Sequence, residues 1–226
     1  MIHAFPERLS SSHLEDLAFV VLSARPDAGE LDLYPELSSN ARARLRSRLK
    51  QLARYDFPAS LAEDKALRRG YTLRQCCRLT IALLLIDAHL PASFAVTLAS
   101  ENELGFLRAM VHRLARGDGK SMPDDLVSVV ISGELQDGLA APAWVAMEAA
   151  RIRFVRRDDA GCLWSDDLAG SGARLVVDIA TATGALWHWI SGRRLMTNVA
   201  RTALIKEVDR QEGTGFVHNE VSKLPG

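Results

Sequence analysis

The stretch SSNARARLRSRLKQLARY, residues 38–55, carries the strongest pattern in the sequence. Its first three residues are good N-caps, because a serine or asparagine side chain accepts a hydrogen bond from a free backbone N–H at a helix start. Leu45, Leu49 and Leu52 follow at helical spacing and fall within about 60° of one another, which gives one narrow apolar stripe. Pro58 ends any helix soon afterwards. The stretch predicts an amphipathic helix running to about Tyr55.

Six cations line this predicted helix: Arg42, Arg46, Lys50 and Arg54 in an i, i+4 ladder, and Arg44 and Arg48 on the other side of the apolar stripe. Solvated charged helices usually alternate acidic with basic residues, and this one does not. Because like charges repel, such a face is typical of a helix that contacts a polyanion. A basic helix fits the major groove of DNA, where arginine also reads guanine. The alternative interpretation is a solvated surface face.

The net charge of zero conceals a local excess of positive charge. Residues 41–80 hold eleven Lys or Arg against three acids, a balance of +8. The first forty residues come to −5, and residues 121–226 come to −3. A polyanion responds to the surface that faces it, so the local balance bears more on function than the total.

Helical patterns flank the basic stretch on both sides. Ser12 and Glu15 fit a capping box for a helix that stops before Pro26. Residues 58–70 read as a loop or short hairpin, and Thr72 then caps a helix that runs to about His89. A further helical pattern covers residues 91–116, with a bend near Glu101-Asn102. The first half of the chain therefore predicts a helical domain, residues 1–116.

The second half has a different texture. Residues 126–131 and 174–177 read as strands, while 144–148 and 152–155 are ambiguous between strand and helix. Two helices are expected over 178–190 and 193–210, interrupted at Ser191-Gly192. With a boundary at 117–124, the expected fold is mainly α: a helical winged module followed by a smaller α+β dimerisation or sensor domain, residues 121–226. The last two helices carry an extensive apolar surface, part of which must pack on the strands of residues 126–177, and any surplus is expected to form a homodimer interface. The residues of this surface are Trp187, Trp189, Ile190, Leu195, Val199, Leu204, Ile205 and Val208.

Residues 38–99 resemble the winged helix-turn-helix of the MerR family of transcription regulators. The residues that carry the resemblance are Leu52-Ala-Arg-Tyr55 at the end of the basic helix, the 58–70 loop, and Arg69-Gly-Tyr-Thr72. Leu79, Leu83 and Leu90 then precede Pro91-Ala-Ser-Phe-Ala-Val, which is similar to the paired helices after the wing. The resemblance implies a recognition helix at 42–54 and a wing at 58–70. Two departures are the 38 residues before the basic helix and the lack of an evident final coiled coil.

Other chemistries find little support in the sequence. Gly119-Lys-Ser121 ends like a phosphate-binding loop, but the glycine that such a loop needs at 114 is Leu114. Neither the histidines nor the cysteines have metal-ligand spacing, and the adjacent Cys76 and Cys77 are interpreted as small core residues. No signal peptide is visible, and the longest apolar run, 81–86, is too short to cross a bilayer. We expect a cytoplasmic protein without cofactor, metal or enzyme activity.

The sequence therefore predicts a DNA-binding transcriptional regulator, active as a homodimer on double-stranded DNA, with any small-molecule effector unknown. An adaptor or antagonist that binds an acidic protein through the basic helix is the alternative, and a small enzyme with a site of scattered residues also stays open. The predicted DNA-binding residues are Arg42, Arg44, Arg46, Arg48, Lys50 and Arg54 on the helix, with Arg68, Arg69 and Arg74 around the wing.

Overall fold

The computed structural model describes residues 8–24, 36–58, 70–116, 126–131, 151–156 and 174–213, and this part of the chain is mainly helical, as the sequence predicts. After a short 3₁₀ turn, Ser11–His13, the helices are α1 (Leu14–Ser23), α2 (Ser39–Ala53), α3 (Leu73–Asp87), α4 (Ala92–Glu101), α5 (Glu103–Arg116), α6 (Ile179–Gly192) and α7 (Asn198–Gly213). The strands are β1 (Leu126–Ile131), β2 (Arg151–Arg156) and β3 (Arg174–Val177).

Helix α3 occupies the centre of the fold. Thr72 and Gln75 form a reciprocal capping box at its start, which satisfies two backbone N–H groups that would otherwise lack partners. Nearly the whole helix is buried, including Cys76 and Cys77, and α1, α4, α5, α6 and α7 all pack against it. A helix that is covered on every side needs apolar residues all round, and its run of leucine, isoleucine and alanine supplies them.

Helices from both halves of the chain share one hydrophobic core. Helix α6 packs on α1 and α5, and α7 packs on α5. Trp189 of α6 is fully buried in the same cluster as Leu17 of α1 and Phe106 of α5. The predicted boundary at 117–124 lies outside the described residues, and the predicted domains 1–116 and 121–226 meet in this common core.

The three strands form one sheet in the order β2–β1–β3, with both pairs antiparallel. The strands predicted at 126–131 and 174–177 are confirmed, and the ambiguous 152–155 lies within β2. Residues 144–148 lie outside the described residues. The rings of Phe154 in β2 and Phe106 in α5 meet edge to face, with their centres 5.3 Å apart. Phe154 also lies over Gly105, where any side chain would collide with the Phe154 ring. This contact seats the sheet on α5.

The start of α1 differs from the predicted capping box. The hydroxyl of Ser10, not Ser12, accepts a backbone hydrogen bond there, from Ser12 N–H, and the 3₁₀ turn follows. Glu15 does not cap the helix, because its carboxylate pairs with an arginine of α2. Fifteen residues, 24–38, separate α1 from α2. That connection is longer than the turn of three or four residues in a compact helix-turn-helix.

Helices α2, α3 and α6 end in the same way. In each, one residue with positive φ follows the last turn, and the next N–H donates to the carbonyl five residues back: Phe57 to Leu52, Leu90 to Leu85, and Leu195 to Ile190. This is the Schellman motif, whose positive-φ position is usually glycine. Here Asp56, His89 and Arg194 fill it, at φ of 51°, 68° and 54°. The last helix therefore begins at Asn198 and not at the predicted residue 193.

Replacing His89 by glycine is expected to stabilise the protein by about 0.5–1 kcal/mol. Glycine adopts positive φ without strain, and this gain exceeds the additional chain entropy that glycine loses on folding. The matched control is Ala203→Gly on the exposed side of α7, where glycine is expected to cost about 1 kcal/mol. Urea unfolding followed by circular dichroism measures both variants. Destabilisation by both would contradict the strain assigned to His89.

Candidate nucleic-acid interface

Helix α2 lies on the outside of the helical body. Ser38 caps it through a hydrogen bond from the N–H of Ala41, as the sequence predicts. It packs on α1 and α4, burying Leu45 and Leu52, with Leu49 half-buried beside them. The apolar stripe is narrow, so most of the helix surface faces away from the body.

The side of α2 opposite its leucines forms what we call the outward face. Its members lie within about 60° of Ser47 on a helix of 3.6 residues per turn. All are exposed, three carry positive charge, and none is acidic: Asn40, Ala43, Arg44, Ser47, Lys50, Gln51 and Arg54. Arg44, Lys50 and Arg54 form no ion pair with any described residue. Within the described part of the chain, these three charges are therefore not neutralised by an ion-pair partner.

The two ladder arginines nearest to α1 are already paired. Arg46 Nε donates to Glu15 Oε1 at 2.8 Å, and Arg42 Nη1 lies 3.3 Å from Asp16 Oδ1 and 3.6 Å from Glu15 Oε2. The hydrogen bond from Arg46 holds the pKa of Glu15 below its usual range, against a smaller upward effect of burial. Both arginines stay partly exposed, at 40% for Arg42 and 59% for Arg46. They join α2 to α1 and still add positive charge to that edge of the helix.

The same cluster extends to the end of α6. The second carboxylate oxygen of Asp16 lies 3.3 Å from Arg193 Nη1, so one carboxylate joins guanidinium groups of α2 and of the α6 terminus. The guanidinium of Arg193 also lies over the ring of the buried Trp189, at 5.7 Å from its centre. We call Glu15, Asp16, Arg42, Arg46 and Arg193 the α1 charge cluster.

On the other edge of α2, Arg48 Nη1 lies 2.8 Å from Asp87 Oδ1 at the end of α3. The six cations of the predicted ladder thus divide into two groups. Three are tied to acids on neighbouring helices, and Arg44, Lys50 and Arg54 remain on the outward face. Helix α2 has no acidic residues of its own. The acids that pair with the arginines along its edges come from α1 and α3.

The wing-side residues are placed elsewhere or lie outside the described residues. Arg74 is not beside α2: its Nε donates to Glu103 of α5 at 2.7 Å, and its Nη1 contacts Glu207 of α7. Burial alone would lower the pKa of Arg74, but the two carboxylates outweigh it and raise that pKa. Arg68 and Arg69 lie outside the described residues.

Sequence reasoning missed Arg78, which links α3 to the end of α2. It is buried, with 7% of its surface exposed, and its Nη1 donates to the carbonyl oxygen of Pro58 at 2.9 Å. Its guanidinium carbon lies 5.0 Å from the centre of the Phe57 ring. The signal was an arginine between Cys77 and Leu79, within the largely apolar part of α3, since such a residue is normally buried only with partners. Arg78 and the Leu9–Tyr71 backbone bridge hold the two ends of the segment that contains the predicted wing.

Two other kinds of site, a metal centre and a reactive thiol, can be compared with the described residues. None of them form a group of three metal-ligating side chains. Burial raises the pKa of Cys77 to about 12 and that of Cys76 well above its usual value, so neither thiol is poised as a nucleophile. Comparison with protein-family models, with curated proteins and with solved structures finds no match. The functional interpretation therefore depends on the residues of the chain itself.

Two further expectations can be placed against the structure. Across the helices that the structure describes, none has the length and apolar character needed to span a membrane. Of the apolar residues expected to form a dimer surface on α6 and α7, Val199 alone is exposed, at 69%. The others are buried or half-buried in the shared core, which leaves little apolar surface of that set for a second copy.

The variant Glu15→Gln is expected to lower the urea midpoint at pH 7 and to lose this effect in acid. Because the folded-state pKa of Glu15 is lowered, the pair stabilises the fold above the unfolded value near 4.5. That stability is lost as the pH falls through the folded pKa. Urea unfolding of wild type and variant from pH 7 to about pH 3 measures the gap between them.

The control is Asp209→Asn, which removes an exposed carboxylate of α7 that has no ion-pair partner among the described residues. Its midpoint is expected to follow wild type across the pH range. A gap for Glu15→Gln that is constant with pH would show that the carboxylate charge is not what joins α1 to α2.

Proposed function

We propose that the protein binds double-stranded DNA through the outward face of α2 and acts as a transcriptional regulator. The observation that carries this proposal is the exposed, acid-free face with Arg44, Lys50 and Arg54. A face of like charges on a helix has an energetic cost in isolation, since the cations repel one another. A duplex, which bears one negative charge per ~1.7 Å of its axis, removes that cost.

The uncharged members of the outward face suit base reading as well. Major-groove recognition uses arginine or lysine on guanine, asparagine or glutamine on adenine, and serine on either. Arg44, Ser47 and Gln51 lie on successive turns of α2 on this face, and Ala43 is small enough to meet a thymine methyl group. The helix is roughly 10–12 Å across and the major groove is ~12 Å wide, so α2 can enter it with this face leading.

The paired cations have a different role in this arrangement. Arg42, Arg46 and Arg48 fix the orientation of α2 against α1 and α3 through their carboxylate partners. They also neutralise acids that would otherwise lie close to the DNA backbone. Base and phosphate contacts then fall to Arg44, Lys50 and Arg54, which narrows the set of six that the sequence predicts.

The finer form of the proposal is a MerR-like winged helix-turn-helix in residues 38–99. In it α2 is the recognition helix, residues 58–70 are the wing with Arg68 and Arg69 on phosphates, and α3 and α4 are the pair of helices that follows. Arg74 would support this unit indirectly, through its ties to α5 and α7. Homodimerisation on two half-sites, with the second half as dimerisation or sensor unit, belongs to the same proposal, and it would need a surface other than the apolar residues of α6 and α7 that are buried in the core.

The double variant Arg44→Gln, Lys50→Gln is expected to bind a random duplex roughly 50-fold more weakly than wild type at 0.1 M salt. Each lost phosphate contact lowers the slope of log K against log salt by about 0.9, so the slope should fall by about 1.8. Fluorescence anisotropy with a labelled duplex across a salt series measures both quantities. Circular dichroism confirms that the variant is folded.

The matched control changes the net charge of the protein by the same amount as the test variant. Lys206→Gln, Arg210→Gln also removes two exposed cations, but from α7, which packs on α5. It is expected to bind as wild type does. Equal losses in both double variants would mean that net charge and not α2 drives binding. No binding by wild type at low salt would overturn the DNA proposal and favour an acidic protein as the partner.

A further inference from the structure

The turn that ends α6 holds a residue in an unfavourable backbone conformation. Arg194 has a φ of 54° and fills the position of the Schellman motif where glycine is least strained. A glycine is present two residues earlier, at Gly192, but the strained position carries a large cation. Strain at a non-glycine residue is a reason to look for a role of its side chain.

The side chain of Arg194 is exposed, and the turn is linked to the recognition helix proposed above through Asp16 of α1. Arg193, its neighbour, binds the Asp16 carboxylate that also binds Arg42 of α2. The end of α6 is thus held at the α1 edge of α2 by a single carboxylate. A helix in the major groove leaves the phosphate backbones to the elements beside it, and on this edge those elements are α1 and the α6 turn.

The charge balance at that edge favours an anion. The α1 charge cluster has three cations and two acids, a net charge of +1, and Arg194, which follows Arg193 in the chain, adds a further positive charge at the end of α6. Arg193 is fixed by its bonds to Asp16 and its stacking on Trp189, with 20% of its side chain exposed. Arg194 is the exposed arginine of the pair. Guanidinium groups bind phosphate through two parallel hydrogen bonds, which suits this position.

We propose that the α6 turn is a second DNA contact, in which Arg194 binds a backbone phosphate beside the groove occupied by α2. This contact rests on the proposed function of α2 and adds to it a binding residue from the far end of the chain. It positions the protein on the duplex and reads no base.

The test is the variant Arg194→Gly, measured for both stability and DNA binding. Glycine relieves the positive φ, so the urea midpoint is expected to rise. The variant also loses one phosphate contact, so its salt slope should fall by about 0.9 and its affinity at 0.1 M salt roughly 5- to 10-fold. A protein that is more stable but binds less tightly cannot owe its lost binding to unfolding. Arg194→Lys retains the charge and is expected to keep most of the slope.

His89→Gly is the matched control, because it relieves the same strain at the end of α3 without removing an arginine. It is expected to raise the urea midpoint and leave the salt slope unchanged. An unchanged slope for Arg194→Gly in a wild type that binds DNA would overturn the second contact and leave the role of α2 intact. A less stable Arg194→Gly protein would also overturn it, since that result assigns Arg194 to stabilising the helix end. Absence of binding by wild type would instead remove the proposed function itself.

Discussion

A helix that carries six cations can pack against a protein body only where acids meet the cations nearest to that body. In this protein the acids are Glu15 and Asp16 of α1, which bind Arg46 and Arg42, and Asp87 of α3, which binds Arg48. Surface ion pairs of this kind contribute little energy one by one, but a cluster also fixes geometry. The buried leucines of α2 set its rotation about its axis and the ion pairs hold it there, so together they determine which cations face outward. The proposed interface depends on that rotation.

The paired and unpaired cations of α2 look alike in sequence. The spacing of Leu45, Leu49 and Leu52 predicted the helix and its buried side, because both are local properties. The caps at Ser38 and Thr72, and the strands at 126–131 and 174–177, followed from local chemistry in the same way. Which arginine meets which acid depends on contacts between residues 26 to 177 positions apart. Opposite local charges in residues 1–40 and 41–80 were the one available sign of these contacts.

The sequence predicted the turn between α6 and α7 at the wrong residues, and the error has a specific physical reason. Gly192 looked like the stop signal before the last helix, since glycine is the usual residue at a helix C-terminus. The chain instead continues through Gly192 and turns at Arg194, and the same choice of a non-glycine residue recurs at Asp56 and His89. What these ends share is an apolar residue directly after the turn, at Phe57, Leu90 and Leu195, which packs in or against the core. Burial of that residue offsets the local strain, and local propensity alone does not reveal it.

The common core has a consequence for how the chain is made. Asp16 and Arg193 are 177 residues apart, and α1 is covered largely by α6. Contacts between such distant segments form late, because the loop between them must close first. On the ribosome, α1 emerges long before α6 has been synthesised, so the apolar surface of α1 stays partly uncovered until residues near 190 are made. Synthesis of the second half is therefore also the step that completes the first.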